Sequence, residues 1–182
     1  YDFSKNVTSM ITDNTINGYL NFYSSGVNKL SNTNNVRTTV VNDLIYNSNS
    51  FISKLGFKNN FDLYLKNLNS AGKNDSIYSS NIQMDGMSIL KIDSAIPLLK
   101  STNMNIQTLT PKISLRINPG NNMDNYSDTA TNITAYSVYD INRLGVSNAF
   151  EAGRSLTLGL DYKFDQQEID LAEDAKDKYF EV

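Results

Sequence analysis

The 182-residue chain contains no cysteine, no histidine and no tryptophan. The first two absences remove whole classes of chemistry. No zinc finger, thiol nucleophile, disulfide framework or Ser-His-Asp triad can be assembled from it. Charge is also scarce: charged residues make up 19% of the chain, with 16 Lys and Arg against 19 Asp and Glu, a formal net charge of −3. That balance lacks the basic footprint of a nucleic-acid binder, so no nucleic-acid partner is expected. No apolar run approaches the roughly 20 residues of a membrane helix. Asp124, Asp128 and Asp140 are too scattered for a calcium loop, and no carboxylate pair has a spacing that argues glycoside hydrolysis. No catalytic residue, cofactor or metal site is expected, and the chain is not read as an enzyme.

What is abundant is Asn. There are 26, with 20 Ser and 13 Thr. These side chains compete with the helical backbone for hydrogen bonds and disfavour helix interiors. An A+T-rich coding sequence would produce the same bias, together with the excess of Lys over Arg, so only a fold-class inference rests on it. In so Asn-rich a chain the Asn-x-Ser/Thr triplets at Asn6, Asn74, Asn125 and Asn132 are expected by chance. With 11 Tyr and 8 Phe, the chain is too aromatic for a disordered one.

Period-2 alternation is the clearest pattern. Leu156, Leu158, Leu160, Tyr162 and Phe164 alternate with Thr157, Gly159, Asp161 and Lys163. Ile113, Leu115 and Ile117 alternate with Lys112, Ser114, Arg116 and Asn118. At strand spacing each set puts its apolar side chains on one face and its polar ones on the other. Ile16–Tyr23 alternates more weakly. Phe51, Leu55 and Phe57 share odd numbering with Phe61, Leu63 and Leu65, opposite Asp62, Tyr64 and Lys66. Because the parity does not switch, residues 50–68 read as one long strand with at most a bulge near Gly56. Residues 34–47, 77–95, 103–118 and 152–165 also read as long strands. Turn chemistry falls at Ser31–Asn35, Asn69–Asp75 and Asn118–Asn122, and the acidic stretch Asp165–Lys178 reads as a solvated loop. Pro97, Pro111 and Pro119 are placed at strand boundaries, where a missing N–H costs little.

The fold class is therefore all-β, with antiparallel up-and-down strands. About eight strands are expected, each of nine or more residues, where soluble sandwiches favour about 5–6. Tilted strands need ~9–11 residues to cross a bilayer. A mean hydropathy of −0.40 is compatible with a wall that is apolar on one face only. In this reading Ile113, Leu115, Ile117, Leu156, Leu158, Leu160 and Phe164 face lipid. Lys112, Ser114, Arg116, Thr157, Asp161 and Lys163 face a polar lumen. Both chain ends read as partial strands, so residues 1–182 are expected to be an internal fragment of one β-barrel domain, an open curved sheet with Tyr1 and Val182 near unpaired edges.

Two segments carry more than pattern. One is Ala95-Ile96-Pro97-Leu98-Leu99-Lys100 followed by Leu109–Gly120. The other is Asp140-Ile141-Asn142-Arg143-Leu144-Gly145 followed by Phe150-Glu151-Ala152-Gly153 and the alternating strand Arg154–Tyr162. A Leu-x-Pro strand opening, a long loop, an Asn-Arg-Leu-Gly turn and a Glu-x-Gly before a strand resemble the barrel region of the lipopolysaccharide-assembly LptD (organic solvent tolerance) family, in its alphaproteobacterial form. The resemblance runs from about Phe51 to Tyr162. Two features depart from the family: the turn at Asn142–Gly145 is one residue shorter, and Asn148-Ala149 stands where many members have Asp-Arg. The resemblance implies a Gram-negative outer-membrane location and delivery of lipopolysaccharide to the outer leaflet. It also implies an LptE-type lipoprotein plug inside the barrel and an LptA-type periplasmic bridge reached through other parts of the protein. Candidate lumen-facing or partner-contact residues are Lys112, Arg116, Arg143, Glu151 and Arg154. For Arg143 and Arg154 two roles stand side by side: contact with lipid phosphate, or a tie between loop and wall through carbonyls or Glu151. The alternatives are another outer-membrane barrel, receptor or porin-like, and a soluble all-β adhesion module.

Overall fold

A computed structural model describes residues 1–7, 18–32, 34–102, 105–120, 123–124, 132–145, 149–166 and 178–181. Strands dominate. They are β1 (Asp2–Asn6), β2 (Gly18–Ser31), β3 (Asn35–Ser48), β4 (Phe51–Ile52), β5 (Lys58–Lys73) and β6 (Gln83–Ala95), then β7 (Leu98–Ser101), β8 (Asn105–Asn118), β9 (Met123–Asp124), β10 (Ala149–Phe150), β11 (Gly153–Gln166) and β12 (Lys178–Glu181). Among the described residues the helical content is a single 3-10 turn at Ser137–Tyr139, and no helix is long and apolar enough to cross a membrane.

The main sheet runs β1-β2-β3-β5-β6-β8-β11-β12 with every pairing antiparallel. Each strand pairs with its neighbours along the chain, so the topology is up-and-down. The sheet is open: β1 and β12 lie at opposite ends of the path. The strands β2, β3, β8 and β11 are 14 residues long and β5 is 16. At about 3.4 Å per residue they span roughly two and a half times the length of an ordinary strand.

Expectations about local structure are corrected at three places in the chain. The reading of 50–68 as one strand fails: the chain reverses at Ser53–Phe57, where the Ser53 N–H donates to the Phe57 carbonyl at 2.8 Å and Gly56 takes φ +86. This hairpin pairs Phe51 with Asn59. Odd faces odd, so the two arms keep the parity of a continuous strand, and alternation alone cannot tell them apart. The turn expected at Asn69–Asp75 begins later. β5 continues to Lys73, with Asn69 facing Met84, and the left-handed residue is Asn74 at φ 53. The strand expected from residue 77 starts at Gln83.

Pro111 is the third. It lies inside β8, facing Ile96 on one side and Leu160 on the other. The Ile96 N–H donates to the Pro111 carbonyl at 3.1 Å. In an antiparallel pair the N–H and C=O of one residue point the same way, so the N–H that Pro111 lacks would have reached Ile96. The ladder therefore loses a bond there, at the gap between β6 and β7. The register does not slip across it: Ala95 faces Lys112 and Leu98 faces Leu109. β6 and β7 are one arm interrupted by proline chemistry.

The register sorts side chains into two faces. Ile113, Leu115, Ile117, Leu156, Leu158, Leu160, Tyr162 and Phe164 share one with Phe61, Leu63, Leu65, Leu90 and Ile92. This apolar face is the exposed one, with Leu158 71% exposed. The opposite face carries Asp43, Asp62, Lys66, Lys91, Lys112 and Arg116, and there Arg116 is only 3% exposed. Burial thus runs against hydrophobicity. The cover comes from residues 132–145 and 149–152, which lie over the polar face and pack Phe150 and Ile141 against Tyr64, Leu68, Met87 and Ile89.

Candidate functional site: a charged face under a returning loop

Most charges on the polar face stand opposite or beside a complementary one because of register; Arg116 is the exception, facing Lys91 on β6 and taking its anion, Glu151, from the loop. Asp43 on β3 faces Lys66 on β5, and the Lys66 ammonium donates to both Asp43 carboxylate oxygens at 2.9 and 3.2 Å. Asp62 faces Lys91 on β6, their charged atoms 3.8 Å apart, and Lys91 also donates to Asp93. Lys112 on β8 makes a 2.8 Å ion pair with Asp161 on β11. Five strands therefore present a row of paired charges. Among the described residues, three of its members are almost wholly buried: Lys66 at 7%, Lys91 at 9% and Arg116 at 3%.

Aromatic rings seat the loop on that row. Phe150 packs edge-on against Tyr64, ring centroids 5.4 Å apart. The Lys66 ammonium lies 5.8 Å from the Tyr64 ring centre and 5.9 Å from that of Phe150. Tyr139 lies over the Lys112 ammonium, 4.3 Å from its ring centre, in a cation–π geometry that gains strength away from water. Gly159 makes this approach feasible: a Cβ there would sit 1.9 Å from the Tyr139 hydroxyl. Between loop and wall lies a cavity of about 450 Å³ lined by Asp43, Asp62, Lys66, Lys91, Tyr139 and Asp140, among others.

Arg116 fastens the loop. Its Nε donates to the Ile141 carbonyl at 3.0 Å and its Nη1 to the Glu151 carbonyl at 3.2 Å. Asn118, two residues along the same face, donates to that Glu151 carbonyl at 3.0 Å. The Glu151 carboxylate lies 3.5 Å from Arg116 through Oε1, and the same oxygen accepts a hydrogen bond from Arg143 Nε. Among the described residues, Arg116 Nη2 and Glu151 Oε2 are buried without a partner.

The sequence candidates thus divide. Arg116 meets Arg143 and Glu151 of the loop, while Lys112 stands apart from them, paired with Asp161 and covered by Tyr139. For Arg143 the geometry is the tie to Glu151. Arg154 departs from the expectation that it shares this side: it has the parity of Leu156 and stands exposed at the end of the apolar face. The residues not singled out from sequence are Asp43, Lys91, Tyr139 and Phe150. A signal did exist for the first two, since each is a charge on the polar parity of a long strand. Nothing local marks Tyr139 or Phe150 as loop anchors.

At the same end of the sheet a second loop is tied down. Arg37 Nε and Nη2 donate to the two Asp75 oxygens at 2.9 and 3.1 Å, a bidentate fork. Asp75 also accepts the N–H groups of Ile77 and Tyr78 at 2.8 and 3.0 Å. The Arg37 bond, then those two amides, hold its carboxyl down to about 2.

Compared with known proteins, the chain matches no family model and no curated protein.

Proposed function

We propose that this chain is a section of an outer-membrane β-barrel wall that serves lipopolysaccharide delivery to the outer leaflet, in the manner of the LptD family. The observation that carries the reading is the inverted burial of β5–β11: an apolar face exposed along long strands, and a charged face enclosed. In water that arrangement leaves a large apolar surface without a partner. In a bilayer it is the expected one, because lipid covers the outside and charges keep to the inside. The work is non-enzymatic. An amphipathic lipid crosses with its head against the polar face and its chains toward hydrocarbon. The open edges at β1 and β12 expose N–H and C=O groups that hydrocarbon cannot satisfy, so the reading requires further strands to pair with them. It also assigns an LptE-type lipoprotein plug to the polar side and an LptA-type periplasmic bridge to other parts of the assembly. A porin-like solute channel is the second reading, favoured by the loop lying across the polar face.

Spin labels placed singly at positions 156, 157, 158, 160 and 161 of the full protein in lipid vesicles test the membrane part. Accessibility to oxygen should peak at 156, 158 and 160, and accessibility to a water-soluble nickel chelate at 157 and 161. Nickel access at all five positions would refute a lipid-facing wall. Depleting the protein should then lower lipopolysaccharide at the cell surface. Normal surface lipopolysaccharide with altered uptake of small solutes selects the channel reading instead.

A further inference from the structure

The fastening of the loop is incomplete in a specific way. Two guanidinium groups, those of Arg116 and Arg143, share one carboxylate, and they share only its Oε1 atom. The other carboxylate oxygen and Arg116 Nη2 are buried with no partner among the described residues. A buried polar atom left unpaired costs about 1–3 kcal/mol, more when charged, so such an atom calls for a group that completes it. The charge count points to the same deficit, two cations against one anion. Arg116 cannot turn away, since Nε and Nη1 are held by the Ile141 and Glu151 carbonyls. Its free Nη2 is thereby fixed in direction. The side chain of Glu151, 22% exposed, is the most open of the three, so the way in lies past it.

We propose that Arg116 and Arg143 form a binding site for a doubly charged phosphate-monoester group, which the Glu151 carboxylate fills when the ligand is absent. A phosphate offers three acceptor oxygens and close to two negative charges at neutral pH. It therefore matches two guanidinium forks better than one oxygen of a carboxylate does. Its entry displaces Glu151. That removes the side-chain half of the fastening while the Arg116 and Asn118 bonds to backbone carbonyls remain, so the part of the loop that carries Arg143 loosens over the cavity. The inference stands apart from the membrane reading: it concerns a charge-matched site, whatever covers the apolar face.

The test is titration calorimetry on the full protein in detergent, with inorganic phosphate against sodium chloride of equal ionic strength. Glu151→Gln removes the internal competitor and should bind phosphate at least tenfold more tightly than the unmodified protein. Arg143→Gln, on the loop side of the site, should weaken it at least tenfold. Hydrogen exchange of the peptide covering 139–145 gives an independent readout. Phosphate should deprotect it in the unmodified protein, and Glu151→Gln should show the same deprotection without phosphate. Vesicles of phosphatidylcholine with phosphatidic acid, compared with free phosphate, separate a lipid headgroup from a soluble anion as the source. The proposal is overturned if Glu151→Gln gains no affinity, if chloride reproduces the response, or if phosphate leaves exchange unchanged. Spin-label accessibility on β11 does not depend on any of these results, so the two readings fail separately.

Discussion

The strands β5–β11 and the strands β2–β3 belong to one sheet, yet they treat their faces differently. From β5 to β11 the polar face is buried under the loop and the apolar face is open. Among the described residues the loop reaches β3, where Val41 and Ile45 pack against the cluster that holds Phe150, but not β2. Tyr19, Tyr23 and Val27, which share the polar side through their pairing with Asn47, Asp43 and Thr39, are 58%, 43% and 61% exposed. The opposite face is mixed there. Ser24, Asn42 and Asn67 stand in line across β2, β3 and β5, joined by hydrogen bonds of 2.7 and 3.3 Å. Burial in this protein is thus set by what lies on top of a face.

Substitutions can break that contrast. The largest effect should come from Arg116→Ala, which leaves Glu151 short of a partner and frees the loop carbonyls. It should cost about 3–5 kcal/mol, the range for breaking a buried pair, whereas Lys29→Ala in the uncovered part should stay within about 0.5 kcal/mol. Urea unfolding of the two variants under one set of conditions reads the difference. Next is Leu158→Arg. If lipid covers β11 near the midplane, it should destabilise by about 2–4 kcal/mol, with Thr157→Arg much milder on the wet side. If water covers β11, an exposed Leu to Arg change should fall within about 0.5 kcal/mol, so refolding titrations into vesicles decide between them.

Smaller effects sharpen the picture at the ends of the sheet. Gly56→Ala places a side chain at φ +86 and should cost roughly 1–2 kcal/mol, although no atom lies within 4 Å of the added carbon. A continuous strand at 50–68 would tolerate the same change, so the thermal midpoint of this variant tests the hairpin. The last prediction concerns acid. Asp75 is held below its usual 3.8, at about 2. A depressed carboxyl pKa stabilises fully above the ordinary value, and the contribution fades as pH falls through the folded one. Exchange protection of the 74–82 loop should therefore drop between about pH 4 and pH 2, and Asp75→Asn should flatten that dependence. An equal slope in both proteins would deny the Arg37–Asp75 fork its role.

Alternation made the fold class legible from sequence. In β8 and β11 it placed Ile113, Leu115, Ile117, Leu156, Leu158, Leu160 and Phe164 on one shared face, because a two-residue period leaves no freedom once a strand is assumed. It failed at Ser53–Phe57 because a hairpin pairing odd with odd preserves parity, and at Pro111 because the neighbouring strand was already interrupted where the missing donor pointed. Of the site, Lys112 and Arg116 were readable as polar-face cations, and the Arg143–Glu151 tie was one of two readings weighed. The enclosure was not readable. It depends on where a long loop returns, and Tyr139 and Phe150 meet Lys112 and Tyr64 only through the third dimension.

The up-and-down order has a kinetic side. Most neighbouring strands are joined by short connections, such as the turn between Ser101 and Asn105, so the sheet can assemble as local hairpins. β8 and β11 are the exception, separated by residues 119–152. Closing that span instead of a three-residue turn costs an extra ~2 kcal/mol of chain entropy, and contacts with large sequence separation form slowly. The 14-rung ladder from Asn118–Gly153 to Asn105–Gln166 is then the late step of folding. Arg116 and Asn118, by gripping Glu151 two residues before Gly153, hold the returning chain beside the first rung and so act as a starter for the zipper.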